Sequence, residues 1–349
     1  MYDNTRPPIE GARTLPARYY IDPDHFEREL ERIHLEMWLH VGRTQEVAQT
    51  GDYVLVDVAG QSAIVVRSPD GLRAFHNVCR HRGTRLCTAP AGTLVRAPHM
   101  EKVRGFTESD YPLHQVAVDE WDGHIFLNFS ADPRSLASHL AQLPERFRSW
   151  GMADLRLAHR TRYELRANWK LVIQNYSECL HCPIIHPLLN RHSHYMSGDN
   201  EPPQPTYLGG VMDLRDGVET LTMDGSSPWG VLPGLDEGQR RTVYYYAILP
   251  NLLLNLHPDY MLTFELWPRA CDRTDIVCEW HFHPDAMARD DFDPTPAVDF
   301  WDLTNRQDWQ VSELAQQGIG SSAYAPGPYS NREELLYAFD RFVVDRTSG

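Results

Sequence analysis

Asn168–Pro187 reads NWKLVIQNYSECLHCPIIHP and gathers Asn175, Glu178, Cys179, His181, Cys182 and His186 into a short span. Its opening is helical: Trp169, Val172 and Ile173 make an apolar stripe that Tyr176 and Leu180 continue. Glu178 and His181, at i and i+3, share a face of such a helix. His186 lies five residues further on and cannot join them in an unbroken helix. Pro183 stands between the two histidines, removes a backbone donor and breaks the ladder, which lets the chain swing His186 back. Two imidazoles on a kinked helix, with a carboxylate arriving from elsewhere, are the donors of a facial-triad non-haem Fe(II) site.

Blander readings compete. A histidine pair beside a proline can be a satisfied core pair. Cys179 and Cys182 form a C-x-x-C that could hold zinc with the histidines, but Cys179, His181 and Cys182 alternate too closely for one tetrahedral metal. Both thiols therefore read as small hydrophobes.

Asn168-Trp169-Lys170, Tyr176, Glu178-Cys179, His181-Cys182 and His186-Pro187 together resemble the catalytic motif of Rieske non-haem iron oxygenases. The branch is the one that includes choline, carnitine and glycine-betaine monooxygenases. The resemblance implies that His181 and His186 are Fe(II) ligands. It also places Glu178 where the family keeps a carboxylate that bridges the Rieske centre of one subunit to the iron of its neighbour. Many relatives have Asp there; Glu is the form of the quaternary-amine branch.

For the third ligand, a late helical stretch offers Asp299, Asp302, Asp308 and Glu313. Pattern alone cannot choose, since acidic residues on a helix usually make a solvated face. NRQDWQVSELAQQG, residues 305–318, resembles the family segment whose Asp before Trp is the carboxylate ligand, which maps onto Asp308. His192 and His194 read as loop histidines.

At 349 residues the chain is long enough for about two domains. A hydrophobic content of 42% with 23% charged residues reads as globular. The net charge of -15 argues against nucleic acid and anionic membranes. MYDNTRPPIEG at the N-terminus shows no signal-peptide pattern, and no apolar run is long enough to span a bilayer. Six cysteines, two of them beside histidines, suit a reducing cytoplasm better than a disulfide framework.

Along the chain, Asp22-Pro23 predicts a helix start, with Phe26, Leu30, Ile33 and Met37 on one face and an end near Trp38. Strands are expected at 53–58, 62–67, 72–77 and 124–129, then a linker helix over 136–150. Beyond a strand at 161–165 and the metal helix, residues 190–238 are rich in Pro, Gly, Asp and Ser and read as a loop, lid or subunit contact. Strands return at 242–249, 252–257, 260–267 and 276–282, before helices over 295–318 and 332–344. The expected class is α+β: residues 1–45 an extension and helix, 46–150 a β-rich Rieske-like domain, 151–349 a catalytic domain. Strands enclosed by a long late helix look like the helix-grip fold of the same family.

Cys79-Arg80-His81-Arg82-Gly83 resembles the first half of a Rieske motif. A [2Fe-2S] Rieske centre needs two Cys on one iron and two His on the other. Relatives supply the second pair from a C-x-x-H loop, and no such pair follows here: CRHRGTRLCTAPAG runs directly into TLVRAPHM. Either the gene or its record has lost the loop, or Cys87 and His99 stand in as ligands, or the chain is a natural homologue without a cluster. Without the loop, Cys79 and His81 cannot hold the centre alone, and the chain as written would be inactive.

The family reading implies O2-dependent hydroxylation of a small substrate, expected to be a quaternary ammonium compound such as a betaine, followed by loss of an aldehyde. It further implies electrons from a separate ferredoxin or flavin reductase, and a homotrimer. Cage candidates for a cation are Tyr207, Trp229, Tyr244, Tyr246, Phe264 and Trp267, although strand aromatics are usually core. Alternatives are hydroxylation of an aromatic ring, a zinc hydrolase, and a helix-grip ligand-binding protein without catalysis.

Overall fold

Asp22 accepts the amide of Asp24 and caps a helix whose first residue is Pro23, as its Asp-Pro start dictates. In the computed structural model, which describes residues 10–80, 82–87 and 112–348, a short helix α1 (Arg18–Ile21) precedes this helix, α2 (Pro23–Glu29). A π-helical turn follows at Leu30–His34, so the helix stops short of Trp38.

Two compact units divide the chain: His34–His139, and a second made of Met1–Ile33 together with Leu140–Gly349. The boundaries thus fall earlier than 45/46 and 150/151. The reason is packing: α2 is tied into the second unit by Glu29, and the segment after it is already a strand of the first.

In His34–His139, β1 (Leu39–Arg43), β2 (Tyr53–Val58), β3 (Gln61–Ser68), β4 (Gly71–His76), β5 (Gln115–Trp121) and β6 (His124–Asn128) form an antiparallel sheet ordered β1-β6-β5-β4-β3-β2. The β2–β3 hairpin turns on Ala59 and Gly60, both with positive φ, the two-residue turn that matches strand twist. Strand β1, unmarked in the sequence reading, is buried along its length against β6. In place of one linker helix there are two short pieces, α3 (Leu136–Leu140) and α4 (Leu143–Arg146), parted at Ala141 with its positive φ.

The second unit is built on a seven-stranded antiparallel sheet. Strand β7 (Arg156–Leu165) leads to the helices α5 (Trp169–Tyr176), α6 (Cys182–Ile185) and α7 (Pro187–His192). Then come β8 (Asp199–Asn200), β9 (Tyr207–Asp213), β10 (Thr242–Ile248), β11 (Leu252–Leu256), β12 (Tyr260–Ala270) and β13 (Arg273–Phe282), in the order β7-β13-β12-β11-β10-β9-β8. A short helix α8 (Pro284–Met287) precedes the long α9 (Thr295–Ile319), and α10 (Glu334–Thr347) ends the chain. Helix α9 packs on α5 and β7, and α10 on α2, α5 and β9. The 190–238 region is therefore not all loop, since β8 and β9 complete the sheet there.

The Asn168-Trp169-Lys170 triplet is structural. Asn168 caps α5 by accepting the Lys170 amide at 3.0 Å, and its amide group donates to Cys271 O at 2.7 Å. The Lys170 ammonium is wholly buried against Glu29, at 2.6 Å from Oε1 and 2.7 Å from Oε2, and Trp169 Nε1 donates to the same carboxylate at 2.8 Å. Gln174, one turn on, donates to Asp340 at 2.6 Å, joining α5 to α10.

Candidate metal centre

Helix α5 ends at Tyr176, and Ser177 turns its hydroxyl back onto Ile173 O at 2.6 Å. Glu178 and His181 therefore lie in the turn beyond the helix, not on one of its faces. Pro183 does not break a ladder either: it sits in the first turn of α6, where a proline's lost donor costs nothing. His186 is the joint between α6 and α7. The outcome matches the expectation by a different route, since both imidazoles face one point.

There they meet Asp308 of α9. His181 Nε2, His186 Nε2 and Asp308 Oδ1 are mutually 3.2, 3.2 and 2.8 Å apart. Ligands about 2.1 Å from one metal, at right angles, stand about 3.0 Å apart, whereas tetrahedral ones stand about 3.4 Å apart. The three atoms fit one face of an octahedron, with the opposite face open, which is the facial arrangement of non-haem Fe(II). The other ring nitrogens are engaged so that Nε2 points at the metal position. His181 Nδ1 is bonded to Glu178 Oε1, and His186 Nδ1 donates to Gln307 Oε1 at 2.8 Å. Glu178 Oε2 also accepts the Leu180 amide.

Electrostatics agree. Burial pushes the Asp308 carboxyl up, but the bonds from His181 and His186 outweigh it and hold it below the usual range. Burial lowers His181, yet Asp308 and Glu178 raise it further, to about 10. Two carboxylates around the pair thus call for positive charge.

Cys182 Sγ is a rival donor, 3.9 Å from His181 Nε2 and grouped with both histidines within 4.8 Å. Its sulfur is instead bonded to Cys179, so the two thiols expected as separate small hydrophobes form a disulfide around His181. The remaining four cysteines are free.

Other candidates fall away. Asp299 is exposed, Asp302 accepts from Tyr163 OH at 2.8 Å and Arg306 Nε at 2.7 Å, and Glu313 accepts the Arg166 amide at 3.0 Å. His192 stacks on Phe300, and His194 caps the turn at Met196.

A cavity of about 1150 Å³, its open mouth included, adjoins the triad. Helix α9 contributes Trp301, Thr304, Asn305, Asp308 and Trp309, an i, i+3, i+4, i+7, i+8 stripe. The sheet contributes Tyr245, Leu253 and Phe264, and Tyr176 and Tyr195 add further rings. Of the six aromatic candidates only Phe264 reaches this wall. Tyr244 and Tyr246 alternate to the other side of β10, where they pack on Phe147, and Trp229 packs on Phe282. Tyr207 is buried near Tyr246, and Trp267 turns its indole to Glu265. The sequence reading missed Gln307, Tyr245, Trp301 and Trp309.

Residues 152–349 match the ring hydroxylating alpha subunit (catalytic domain) family, and residues 37–103 match the Rieske [2Fe-2S] domain family. The chain belongs to the ring-hydroxylating alpha-subunit family of Rieske oxygenases, which are oxidoreductases. It is 32% identical to the glycine betaine monooxygenase oxygenase subunit of Chromohalobacter salexigens over 376 residues, covering 93% of this chain and 84% of that one. It is 33% identical to the carnitine monooxygenase oxygenase subunit of Escherichia coli over 223 residues, 54% of this chain and 58% of that one. The quaternary ammonium Rieske monooxygenase CntA, solved with L-carnitine, has the same fold, with a TM-score of 0.78 and 22% identity over 96% of this chain and 95% of that one.

The family's cofactors are a [2Fe-2S] cluster and a mononuclear non-haem iron. The iron fits the triad. The cluster's donor set is incomplete: between residues 34 and 139 the only cysteines are Cys79 and Cys87, and one Cys-x-His pair stands where two are needed. Cys87 is buried with Ile64 and Leu86, with Cys79 packed against them. Asn77 pins this turn by accepting the Leu86 and Cys87 amides at 3.0 and 2.9 Å. His81 and His99 lie outside the described residues. The C-x-x-H at Cys278 and His281 is no substitute, because residues three apart on β13 face opposite sides. The 376-position alignment exceeds this chain's 349 residues, so that relative carries segments this chain lacks.

Proposed function

We propose that the chain is the oxygenase subunit of a monooxygenase that hydroxylates an N-methyl or neighbouring carbon of a betaine-type quaternary ammonium compound. The observation that carries the reading is the His181–His186–Asp308 triad opening onto an aromatic-walled cavity. Ring faces attract a methylated cation that cannot hydrogen-bond, and the relatives named for glycine betaine and carnitine point the same way.

In this reading His181, His186 and Asp308 hold Fe(II), which supplies the one-electron chemistry that O2 needs. Glu178 and Gln307 keep the two imidazoles in the tautomer with Nε2 free. The ring walls of Tyr176, Phe264, Trp301 and Trp309 exclude water and hold the cation with its methyl groups toward the triad. Overall, a C–H bond, O2, two electrons and two protons give C–OH and water; the N–CH2OH product then breaks its C–N bond to release formaldehyde and the tertiary amine. By resemblance the chain would be a homotrimer served by a separate reductase, with Glu178 at the position of the carboxylate through which electrons cross between subunits, a route that lacks its carrier where the cluster donors are incomplete. Among the described residues no helix is long and apolar enough to cross a membrane, and we place the protein in the cytoplasm.

With the cluster donors incomplete, electrons have to reach this iron from outside the chain. Hydrogen peroxide carries both oxygen and electrons, so the test is Fe(II)-loaded protein, glycine betaine and peroxide, with formaldehyde measured. Formaldehyde should appear with the intact chain and fall at least a hundredfold in His186→Ala, the size expected for losing a catalytic metal. No formaldehyde from betaine, carnitine or choline, with hydroxylation of an aromatic acid instead, would favour the ring-hydroxylating alternative.

A further inference from the structure

Two aromatic side chains of the cavity wall turn polar hydrogens inward that no protein atom accepts. Among the described residues, the Tyr245 hydroxyl and the Trp309 indole N–H are shielded from solvent and have no hydrogen-bond partner. Both residues line the cavity beside the triad. Their neighbours are satisfied: Tyr176 OH donates to Asn255 Oδ1 at 2.6 Å, and Trp301 Nε1 donates to Tyr260 OH at 2.8 Å. A buried donor without an acceptor is destabilising unless something supplies one.

We propose that Tyr245 is a specificity-determining residue whose hydroxyl, with the Trp309 N–H as second donor, binds a carboxylate oxygen of the substrate. This deepens the betaine reading above and rests on it. Three observations select a carboxylate. The unpaired groups are both placed to donate, so the ligand must accept. The wall's own carboxylates, Glu178 and Asp308, are already held by the histidines at the iron end. Arg332 is the one Lys or Arg side chain among the described residues of the wall, and it puts positive rather than negative charge on that side. Tyr245 faces this space by the alternation of β10, which turns Tyr244 and Tyr246 to the other side of the sheet. Burial also pushes the phenol well above its ordinary range, so that it remains a donor at any working pH. A zwitterion would thus be held at both ends, its methylammonium against the rings and its carboxylate at Tyr245.

The test is Tyr245→Phe on Fe(II)-loaded protein, titrated calorimetrically with glycine betaine and with tetramethylammonium, which has no oxygen. Losing a hydrogen bond to a charged group should weaken glycine betaine binding about tenfold or more. Tetramethylammonium binding should change less than about twofold, since only ring contacts hold it. The melting temperature of the unliganded variant should equal or exceed that of the parent, because a buried hydroxyl without a partner has been removed. Equal weakening for both ligands, or unchanged betaine affinity, overturns the carboxylate site while leaving the betaine reading intact. If the parent chain binds neither ligand, the betaine reading fails and the proposal with it.

Discussion

His186 shows how much of this site depends on residues that never touch the metal. Its Nδ1 is held by Gln307, the residue just before Asp308, so one turn of α9 supplies both a proposed ligand and the support of another. Replacing Gln307 by Leu should weaken Fe(II) binding about ten- to a hundredfold, while Gln307→Glu should retain most of it. Chelator competition measures this, and unaltered affinity in the Leu variant would remove Gln307 from the site. The convergence of His181, His186 and Asp308 could be expected because two His and one Asp are residue types that carry metal chemistry, and their neighbours resembled a family motif. Gln307 could not, since nothing about a glutamine beside an aspartate reveals which way it turns. Tyr245 was hidden differently: in the run Tyr244-Tyr245-Tyr246 every residue suits a strand, and only the assembled sheet says which one faces the cavity.

Helix α5 is fixed in place by burying a charge. Lys170 and Glu29 are both fully buried, and the pair holds because the carboxylate gathers Lys170, Trp169 and His25 around it. Lys170→Met should cost about 3–5 kcal/mol, the penalty for leaving a buried charge alone, and adding Glu29→Leu should recover a large part. Urea denaturation of Lys170→Met, Glu29→Leu and the double variant decides it; simple additivity of the two single losses would mean the residues are not coupled. Most elements of the sheets were legible from alternating apolar residues and turn signals. Strand β9, Tyr-Leu-Gly-Gly-Val-Met-Asp, was read as loop because of its glycines. Those glycines are required there: a Cβ on Gly209 would lie 2.3 Å from the Tyr246 ring, and one on Gly210 would lie 2.6 Å from Asp199 O. Close packing had removed the side chains that make a strand recognisable.

For the molecule as a whole, the two metal sites differ in completeness, and purified protein should reflect it. About one iron per chain is expected, with no acid-labile sulfide and no Rieske-type visible spectrum. Sulfide with a Rieske-type spectrum would instead make Cys87 a cluster ligand in spite of its apolar surroundings. The N-terminal helices belong by burial to residues more than a hundred positions away, which no local sequence signal shows. Residues 13–15 even bond to the stretch around Pro326–Tyr329, near the other end of the chain. The unit His34–His139 is thus an insertion within the sequence of the other. During synthesis, that inserted unit has all its residues before the other does, and helix α2 must wait for Lys170 and then for α10. A fragment cut at residue 152, where the family match begins, would carry His181, His186 and Asp308 yet leave Lys170 without the Glu29 carboxylate that holds it.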